Sequence, residues 1–220
     1  MKIFGIICEY NPFHNGHARQ LEFCKSKGAD LIFCAMSGDF TQRGEPAVLE
    51  KRIRAKHAVQ SGADLVAELP LPYAAAGAKD FAEGGVKLLE KMGCTHICFG
   101  SECGNISLLE KAAELIDSDS FNNSLKLHIK AGKSYPVSAE LAGEEYGGVL
   151  NAPNNILAVE YLRALKSVGS AMQPITLTRN TDYCSESLDS KACVASASAI
   201  RKNLKSEALS RFVPCLLYTS

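Results

Sequence analysis

The sequence predicts an α/β fold, a Rossmann-like doubly wound parallel sheet. Short apolar runs alternate with amphipathic stretches over the first half of the chain, the pattern of parallel strands flanked by helices. Each run is apolar on both faces, as a strand covered by helices must be. Each run also ends in a turn, and the carboxyl ends of such strands are where open α/β sheets bind ligands.

Five strands are predicted. Four lie at 3–8, 31–36, 65–69 and 96–99, and residues 173–178 form a fifth. The turns after the first four are polar or rich in glycine, and they are E-Y-N-P-F-H-N-G-H, S-G-D-F-T-Q-R-G, P-L-P-Y and G-S-E-C-G. The clearest helix between them places five residues on one face: Phe81, Gly85, Leu88, Leu89 and Met92.

The second half of the chain is mostly helical at first. A helical insert is predicted at about 106–150, and Asn151-Ala152-Pro153 predicts the start of a further helix, with proline in its first turn. The buried stripe of that helix would be Ala158, Tyr161, Leu162 and Leu165. A short helix is predicted over 196–204.

One domain is therefore expected over 1–205. Residues 206–220 form an atypical apolar tail, which we interpret as the start of a further region or as non-native sequence, with an ordinary C-terminal strand as the alternative.

Composition excludes few functions. The chain carries 24 basic and 24 acidic residues, so its net charge identifies no partner, and nothing in the sequence specifies an oligomeric state. Its nine cysteines lie in apolar runs and form no C-x-x-C pair, which favours reduced, buried thiols and predicts no metal site. No apolar run has the length of a membrane span, and the first residues form a strand instead of a signal peptide. The expected location is the cytoplasm, without a membrane partner.

The segment I-I-C-E-Y-N-P-F-H-N-G-H, at residues 6–17, carries the main functional signal. It places His14 and His17 around Gly16, directly after the first strand. The following helix, over about 16–26, would point its N-terminal amides at the turn, which is a site for an anionic phosphate. Two imidazoles there can stabilise charge on a leaving pyrophosphate. The alternatives are two unrelated histidines or half of a metal site.

The order of motifs resembles one family. H-x-G-H after the first strand is the signature of the nucleotidyltransferase (HUP-type) superfamily. M-S-G-D-F-T-Q-R-G-E-P-A, F-G-S-E, P-N-N-I-L-A-V-E-Y and S-A-S-A-I-R follow it in the order found in bacterial tRNA(Met) cytidine acetate ligases. The resemblance implies that ATP, accompanied by Mg²⁺, and acetate give acetyl-adenylate. N4 of the wobble cytidine of elongator tRNA(Met) then takes the acetyl group. Residues 1–205 would be the catalytic domain.

The resemblance also implies the site residues. Gly100, Asn154 and Arg179 would complete the nucleotide pocket, and His14 and His17 would contact the phosphates as catalytic residues. The main ATP-binding segment would comprise Ile7, Cys8, Glu9, Tyr10, Asn11, Pro12, Phe13, His14, Asn15, Gly16, His17, Ala18, Arg19 and Gln20.

S-A-S-A-I-R indicates a second phosphate site. Ser196 or Ser198 would cap a short helix whose first turn carries Arg201. In the superfamily a similar element lies over the triphosphate, which implies that Ser198 binds ATP and that Arg201 is catalytic. A plain helix cap and a solvated arginine are the alternative.

Two further groups of polar residues remain open to interpretation. Asp39 and Arg43 follow the second strand in a loop too polar to be buried. We predict that they hold acetate or the incoming base; the alternative is a loop with a purely structural role. A basic run begins the next helix and is either a tRNA-backbone patch or a solvated face; it consists of Lys51, Arg52, Arg54, Lys56 and His57.

Two other functions fit the same motif. A cofactor-type adenylyltransferase would use this site on a small phosphorylated substrate, but it would not need P-N-N-I-L or M-S-G-D-F-T-Q-R-G. A truncated module that binds ATP without turnover is the other alternative. Members of the family that this sequence resembles usually continue into a further C-terminal region that helps to bind tRNA. Acetyl-adenylate formation is therefore the firmer expectation and tRNA modification the weaker one.

Overall fold

A computed structural model describes residues 1–143, 146–179 and 195–214. It contains one sheet of five parallel strands: β1 (Ile3–Cys8), β2 (Leu31–Ser37), β3 (Leu65–Leu69), β4 (His96–Ser101) and β5 (Gln173–Thr178). Their order is β3-β2-β1-β4-β5, so the chain winds outward from β1 in one direction and then in the other. The doubly wound parallel sheet is confirmed. Its switch point lies between β1 and β4, where open sheets of this kind bind ligands.

Ten α-helices and one 3₁₀ helix cover the described part of the chain. The helices around the first four strands are α1 (Asn15–Ser26), α2 (Lys51–Gln60), α3 (Leu71–Ala74) and α4 (Ala78–Lys91). The predicted insert forms α5 (Ile106–Ile116), α6 (Asp119–Lys130), α7 (Tyr135–Ala142) and α8 (Gly147–Leu150). The remaining helices are α9 (Pro153–Val168), α10 (Ala197–Lys202) and the 3₁₀ helix Glu207–Arg211.

Two separate apolar cores lie on opposite faces of the sheet, because β1 alternates between them. Ile3 and Ile7 join the core made with α4, α5 and α9, whereas Phe4 and Ile6 join the core made with α1 and α2. On α4, a Cβ added to Gly85 would lie 2.5 Å from Ile7, so this glycine permits the close approach of helix and strand. The predicted stripe of α9 is buried throughout, as expected.

The edge strand β3 departs from the prediction. Leu65 is 44% exposed and Glu68 is exposed, so β3 is not apolar and covered on both faces. The reason is its position at the end of the sheet, where fewer helices pack. The P-L-P-Y segment is also not a loop: Leu71–Ala74 forms α3, with proline in its first turn, where the missing N–H costs nothing.

The described cysteines are all free thiols. Cys8, Cys24, Cys34, Cys94 and Cys98 are buried and Cys103 is partly exposed, which confirms the expectation for these six. Burial raises the pKa of Cys94 to about 12 and that of Cys8 well above its usual value, so both remain protonated. The other three, Cys184, Cys193 and Cys215, lie outside the described residues. No helix of the described ranges has both the length and the apolar character needed to span a membrane.

The described part of the predicted tail, 206–214, packs onto the domain. Phe212 is 1% exposed and Val213 is 3% exposed, and both join Ala195, Ala199 and Ile200 in a small third core. A division of the chain at residue 205 stays a prediction, as does the nature of the last residues.

Candidate functional site

The loop after β1 is tightly fixed. Tyr10 has a φ of 49°, in the left-handed region that costs a non-glycine residue about 1 kcal/mol, and the Asn11-Pro12 bond is cis. Tyr10 is held there by burial: its hydroxyl lies 3.4 Å from Sγ of Cys34, and its ring packs edge-on against Phe13 and His17 at 4.9 and 4.8 Å. The chain thereby turns sharply at the tip of β1 and enters α1.

His14 and His17 form a reciprocal cap at the start of α1. Nδ1 of His14 accepts from the backbone N–H of Gly16 (3.0 Å), and Nδ1 of His17 accepts from the backbone N–H of His14 (3.3 Å). In a neutral imidazole the proton must then sit on Nε2. Both rings therefore present an Nε2–H donor, and they stack with their centroids 3.7 Å apart.

Both histidines are neutral near pH 7. The pKa of His14 is lowered to about 3, first by burial and then by the positive charges of Arg179 and Arg201. The pKa of His17 is also lowered well below its usual value, first by burial, then by His14 and Arg179. The rings therefore act as hydrogen-bond donors at neutral pH and do not carry a charge. The same repulsions show that both arginines lie near His14.

The first amides of α1 are engaged by protein acceptors. The N–H of Asn15 donates to the carbonyl of Phe212 (2.9 Å), that of Gly16 to His14, and that of His17 to the carbonyl of His14 (2.8 Å). The expectation that these amides point freely at the turn is therefore wrong. The reason is that the 3₁₀ segment reaches back over the helix, so the histidine side chains are the donors that this turn offers.

Gly100, Asn154 and Arg179 come together on the other side of the switch point. Nη1 of Arg179 donates to Oδ1 of Asn154 (2.8 Å). A Cβ on Gly100 would overlap the Cγ and Cδ of Arg179, so the arginine stem lies directly on the glycine at the tip of β4. Asn154 in turn donates to Oε1 of Glu102 (2.6 Å). Asn154, itself held by Glu102, thereby orients the guanidinium of Arg179.

Arg201 reaches the same loop from α10. Its Nη1 donates to the carbonyl of Asn11 (2.8 Å), which places the guanidinium beside the histidine turn. Of the two predicted caps, Ser196 is the N-cap, accepting from the N–H of Ala199 (3.1 Å). Ser198 lies instead within the first turn, partly exposed. Its contact with a nucleotide stays a prediction.

The predicted ATP-binding segment divides by burial. The side chains of Ile7, Cys8, Tyr10 and Phe13 belong to the cores and shape the turn from within. Gln20 donates from Nε2 to the carbonyl of Cys98 (3.1 Å), which links α1 to β4 across the switch point. Accessible side chains belong to Glu9, Asn15, His17, Ala18 and Arg19.

The loop after β2 is a hairpin, residues 38–49, which we call the β2 hairpin. Phe40 pairs with Pro46, and Asp39 accepts at Oδ1 from the N–H of Lys51 (3.1 Å), so the hairpin leads directly into α2. Asp39 and Arg43 are both exposed, as expected for this loop. Their contact with acetate or a base stays a prediction.

The basic run on α2 forms neither a continuous patch nor a wholly solvated face. Arg54 is 0% and His57 1% exposed, whereas Arg52 and Lys56 are exposed. The helix turns two of its five basic side chains inward, so both interpretations were wrong for Arg54 and His57. Lys51 pairs with Glu68 at 2.8 Å.

Sequence reasoning assigned no role to Glu102 or Asn155, although both lie within quoted motifs. Oε2 of Glu102 accepts from the N–H of Asn155 (2.8 Å), and Oδ1 of Asn155 accepts from the N–H of Glu102 (2.9 Å). The carboxylate thus caps α9, whose first residues are Pro153 and Asn154 and include no side-chain cap. The sequence A-P-N-N has alanine at the N-cap of α9, and this lack of a local capping side chain was the available signal that a distant residue caps the helix.

An open cleft of about 690 Å³ lies elsewhere, between α5 and the C-terminal half of α9. Its charged lining includes Glu110, Glu114, Arg163 and Lys166, and Arg163 is already paired with Asp117 at 2.7 Å. None of the predicted site residues lines it. The predicted site residues therefore lie at the strand tips and not in this cleft.

A parallel sheet whose switch point holds a mutually capped H-x-G-H pair defines a class of protein, and residues 1–219 match the family described as HIGH Nucleotidyl Transferase. The chain belongs to that family. It is 42% identical over 231 residues to the tRNA(Met) cytidine acetate ligase of Acetivibrio thermocellus and 43% identical over 214 residues to that of Syntrophotalea carbinolica. These alignments cover 100% and 93% of this chain but 55% and 51% of those proteins.

Solved structures agree with this assignment. Thermotoga maritima TmcAL bound with alpha-thio ATP superposes with a TM-score of 0.86 at 33% identity, and the apo form I with 0.89 at 33%. The matches cover 98% of this chain and 54% or 55% of those chains. The chain thus spans about half the length of the relatives that it matches.

Proposed function

We propose that this chain carries the ATP-dependent half of a ligase that activates acetate and acetylates N4 of the wobble cytidine of elongator tRNA(Met). One observation carries the proposal: two neutral imidazoles present Nε2–H donors beside two arginines at the switch point of the sheet. This donor set suits a polyphosphate chain. The relative named tRNA(Met) cytidine acetate ligase is similar in sequence, and the TmcAL structure bound with alpha-thio ATP has the same fold. The proposed setting is the cytoplasm.

In the first step an acetate oxygen attacks the α-phosphorus of ATP. The bond between the α-phosphorus and the bridging oxygen breaks, and pyrophosphate leaves with the electron pair. His14 and His17 donate hydrogen bonds to the departing phosphates, and Arg179 and Arg201 offset their growing negative charge. Because the pKa values of the histidines are lowered, they donate without transferring a proton at neutral pH.

In the second step N4 of the cytidine attacks the carbonyl carbon of acetyl-adenylate. The bond from that carbon to the phosphate oxygen breaks, AMP leaves, and N4 loses a proton to solvent. Asp39 and Arg43 on the exposed β2 hairpin are the proposed contacts for acetate or the base. Arg43 supplies the charge that attracts a carboxylate.

Mg²⁺ would enter with the nucleotide and neutralise phosphate charge. Hard phosphate oxygens and waters are its usual ligands in such sites. Within residues 1–143, 146–179 and 195–214, no three His, Cys, Asp or Glu side chains are grouped to hold a metal ion. The role of the chain is therefore to bind the phosphates, with its histidines and arginines.

Pyrophosphate exchange into ATP tests the proposal. The expected result is exchange that requires acetate, because acetyl-adenylate formation must run backward for label to enter ATP. Exchange that requires a phosphomonoester instead would identify a cofactor-type adenylyltransferase. A chain whose melting temperature rises with ATP but which shows no exchange under any condition would be a binding module.

A further inference from the structure

A buried arginine lies beneath the candidate site and takes no part in the chemistry proposed above. The side chain of Arg54 on α2 is 0% exposed. Its Nε donates to the carbonyl of Leu49 (3.0 Å), Nη1 to the carbonyl of Glu9, and Nη2 to the carbonyl of Gly38. The three acceptors lie at the tip of β1, at the tip of β2 and at the end of the β2 hairpin. A single planar group therefore joins three separate stretches of backbone.

The loop after β1 that presents His14, which we call the histidine loop, meets the β2 hairpin at two further hydrogen bonds. The N–H of Gln42 donates to Oε1 of Glu9 (2.7 Å), and the N–H of Val48 donates to Oδ1 of Asn11 (2.8 Å). Both acceptor side chains belong to the loop that presents His14. The hairpin is thus tied to that loop on either side of its tip, with Arg54 below.

We propose that Arg54 is a positioning residue that fixes the β2 hairpin, and with it the acetate-binding side of the site, relative to the histidine loop. This inference rests on the proposed function for its kinetic consequence only. Its structural consequence, the immobilisation of the hairpin, stands apart from any activity.

Arginine is suited to this position because its planar fork carries donors in three directions. Burying its charge is costly, and no ion pair of Arg54 forms among the described residues. Carboxylates nearby offset the cost instead: Asp39, Glu9 and Glu68 oppose the lowering of its pKa that burial causes. An apolar residue would avoid that cost but would leave the carbonyls of Glu9, Gly38 and Leu49 without this donor.

The histidine loop also has anchors that involve neither the β2 hairpin nor Arg54. Arg201 holds the carbonyl of Asn11, and the carbonyl of Phe212 holds the N–H of Asn15. Loss of Arg54 should therefore loosen the hairpin and leave the phosphate side of the site in place. The expected kinetic result is a separation of effects, with ATP binding retained and acetate binding weakened.

The test compares Arg54→Gln and Arg54→Lys with Arg163→Gln in the full chain. Arg163 serves as a control because it is also hydrogen-bonded, to Asp117 and Glu160, with 23% of its side chain exposed, and it lies on α9 away from the strand tips. Amide hydrogen exchange is read at Gln42 and Val48, and steady-state pyrophosphate exchange is titrated with ATP and with acetate. Circular dichroism fixes a temperature at which every variant is folded.

We expect at least tenfold faster exchange of the Gln42 and Val48 amides in Arg54→Gln, with a smaller change in Arg54→Lys and none in Arg163→Gln. The KM for acetate should rise at least tenfold in Arg54→Gln, while the KM for ATP stays within twofold. Unchanged amide exchange overturns the proposal, as does a fall in kcat with both KM values unchanged, because that result describes a purely structural residue. If the parent chain shows no acetate-dependent activity, the proposed function fails, and amide exchange alone still decides the role of Arg54.

Discussion

Nδ1 of His17 accepts the backbone N–H of His14, while Nδ1 of His14 caps the second residue of the same helix. The pair thus combines two tasks. Each ring satisfies a helix-terminal amide with one nitrogen and keeps the other as a donor for a ligand. The capping box usually uses serine or threonine with glutamate or glutamine, which would have no second donor aligned in this way.

Because both rings are neutral in the folded chain, we predict that the folded state loses stability in acid. The pKa of His14 falls from 6.5 in the unfolded chain to about 3 in the folded one, so below pH 6.5 the unfolded state binds the proton that the folded state refuses. Stability should be complete above that pH and should fall toward pH 3, by up to about 1.4 kcal/mol per pH unit for each such histidine. Urea unfolding between pH 7 and 4 measures it. In His14→Asn the slope should be shallower, and an unchanged slope would contradict the assignment.

Substitutions that preserve the caps should separate folding from catalysis. His14→Asn retains an acceptor for the N–H of Gly16, and His17→Gln retains one for the N–H of His14. Each replaces the imidazole Nε2–H, the proposed donor to the phosphates, with an amide N–H at a different position. We expect the melting temperature to change by a few degrees and acetate-dependent pyrophosphate exchange to fall about 10²–10³-fold. Exchange at the parent rate in either variant would rule out the donor role.

The contact between Gly100 and Arg179 makes a third prediction. In Gly100→Ala the new methyl group displaces the flexible stem of Arg179, so the chain should fold but the guanidinium should move. Loss of a charged hydrogen bond to phosphate predicts roughly tenfold weaker ATP binding, about 1.4 kcal/mol. Isothermal calorimetry measures it. Gly148→Ala is the control, since a Cβ there meets nothing within 4 Å, and equal affinities in the two variants would contradict the prediction.

The third core makes the site depend on the C-terminal segment. Phe212→Ala removes a side chain that is 1% exposed and should cost about 3–5 kcal/mol of unfolding free energy. It should also weaken ATP binding, since the backbone of Phe212 holds the start of α1. Leu204→Ala, at a position 47% exposed in the same segment, should change stability by no more than about 0.5 kcal/mol. Denaturant titration compares the two, and an equal loss in both would refute the role of the third core.

The fold was accessible from the sequence because hydrophobic patterning specifies covered strands. All five strands and the stripe of α9 followed from apolar runs and one proline. The exposure of β3 did not, since a run such as L-V-A-E-L looks the same at the edge of a sheet as in its centre. Strand order depends on contacts that a local pattern does not encode.

The histidines were indicated by residue type and spacing, and Arg179 and Arg201 chiefly by the family resemblance; the roles of all four stay predictions. Contacts to backbone partners far along the chain gave no such indication. Arg54 belongs to a basic run that a helix surface could equally present to solvent, and only the bonds to Glu9, Gly38 and Leu49 distinguish its position. The carbonyl of Phe212 gives no signal at all, because every residue has one.

The grip of the 3₁₀ segment on Asn15 also bears on biosynthesis. The side chain of Asn15 donates to the carbonyl of Arg211 across 196 residues of sequence, so the start of α1 cannot gain this contact until residue 211 has been synthesised. A growing chain can pair its strands in order, yet the turn that presents the imidazoles lacks its final support until residue 212 has emerged.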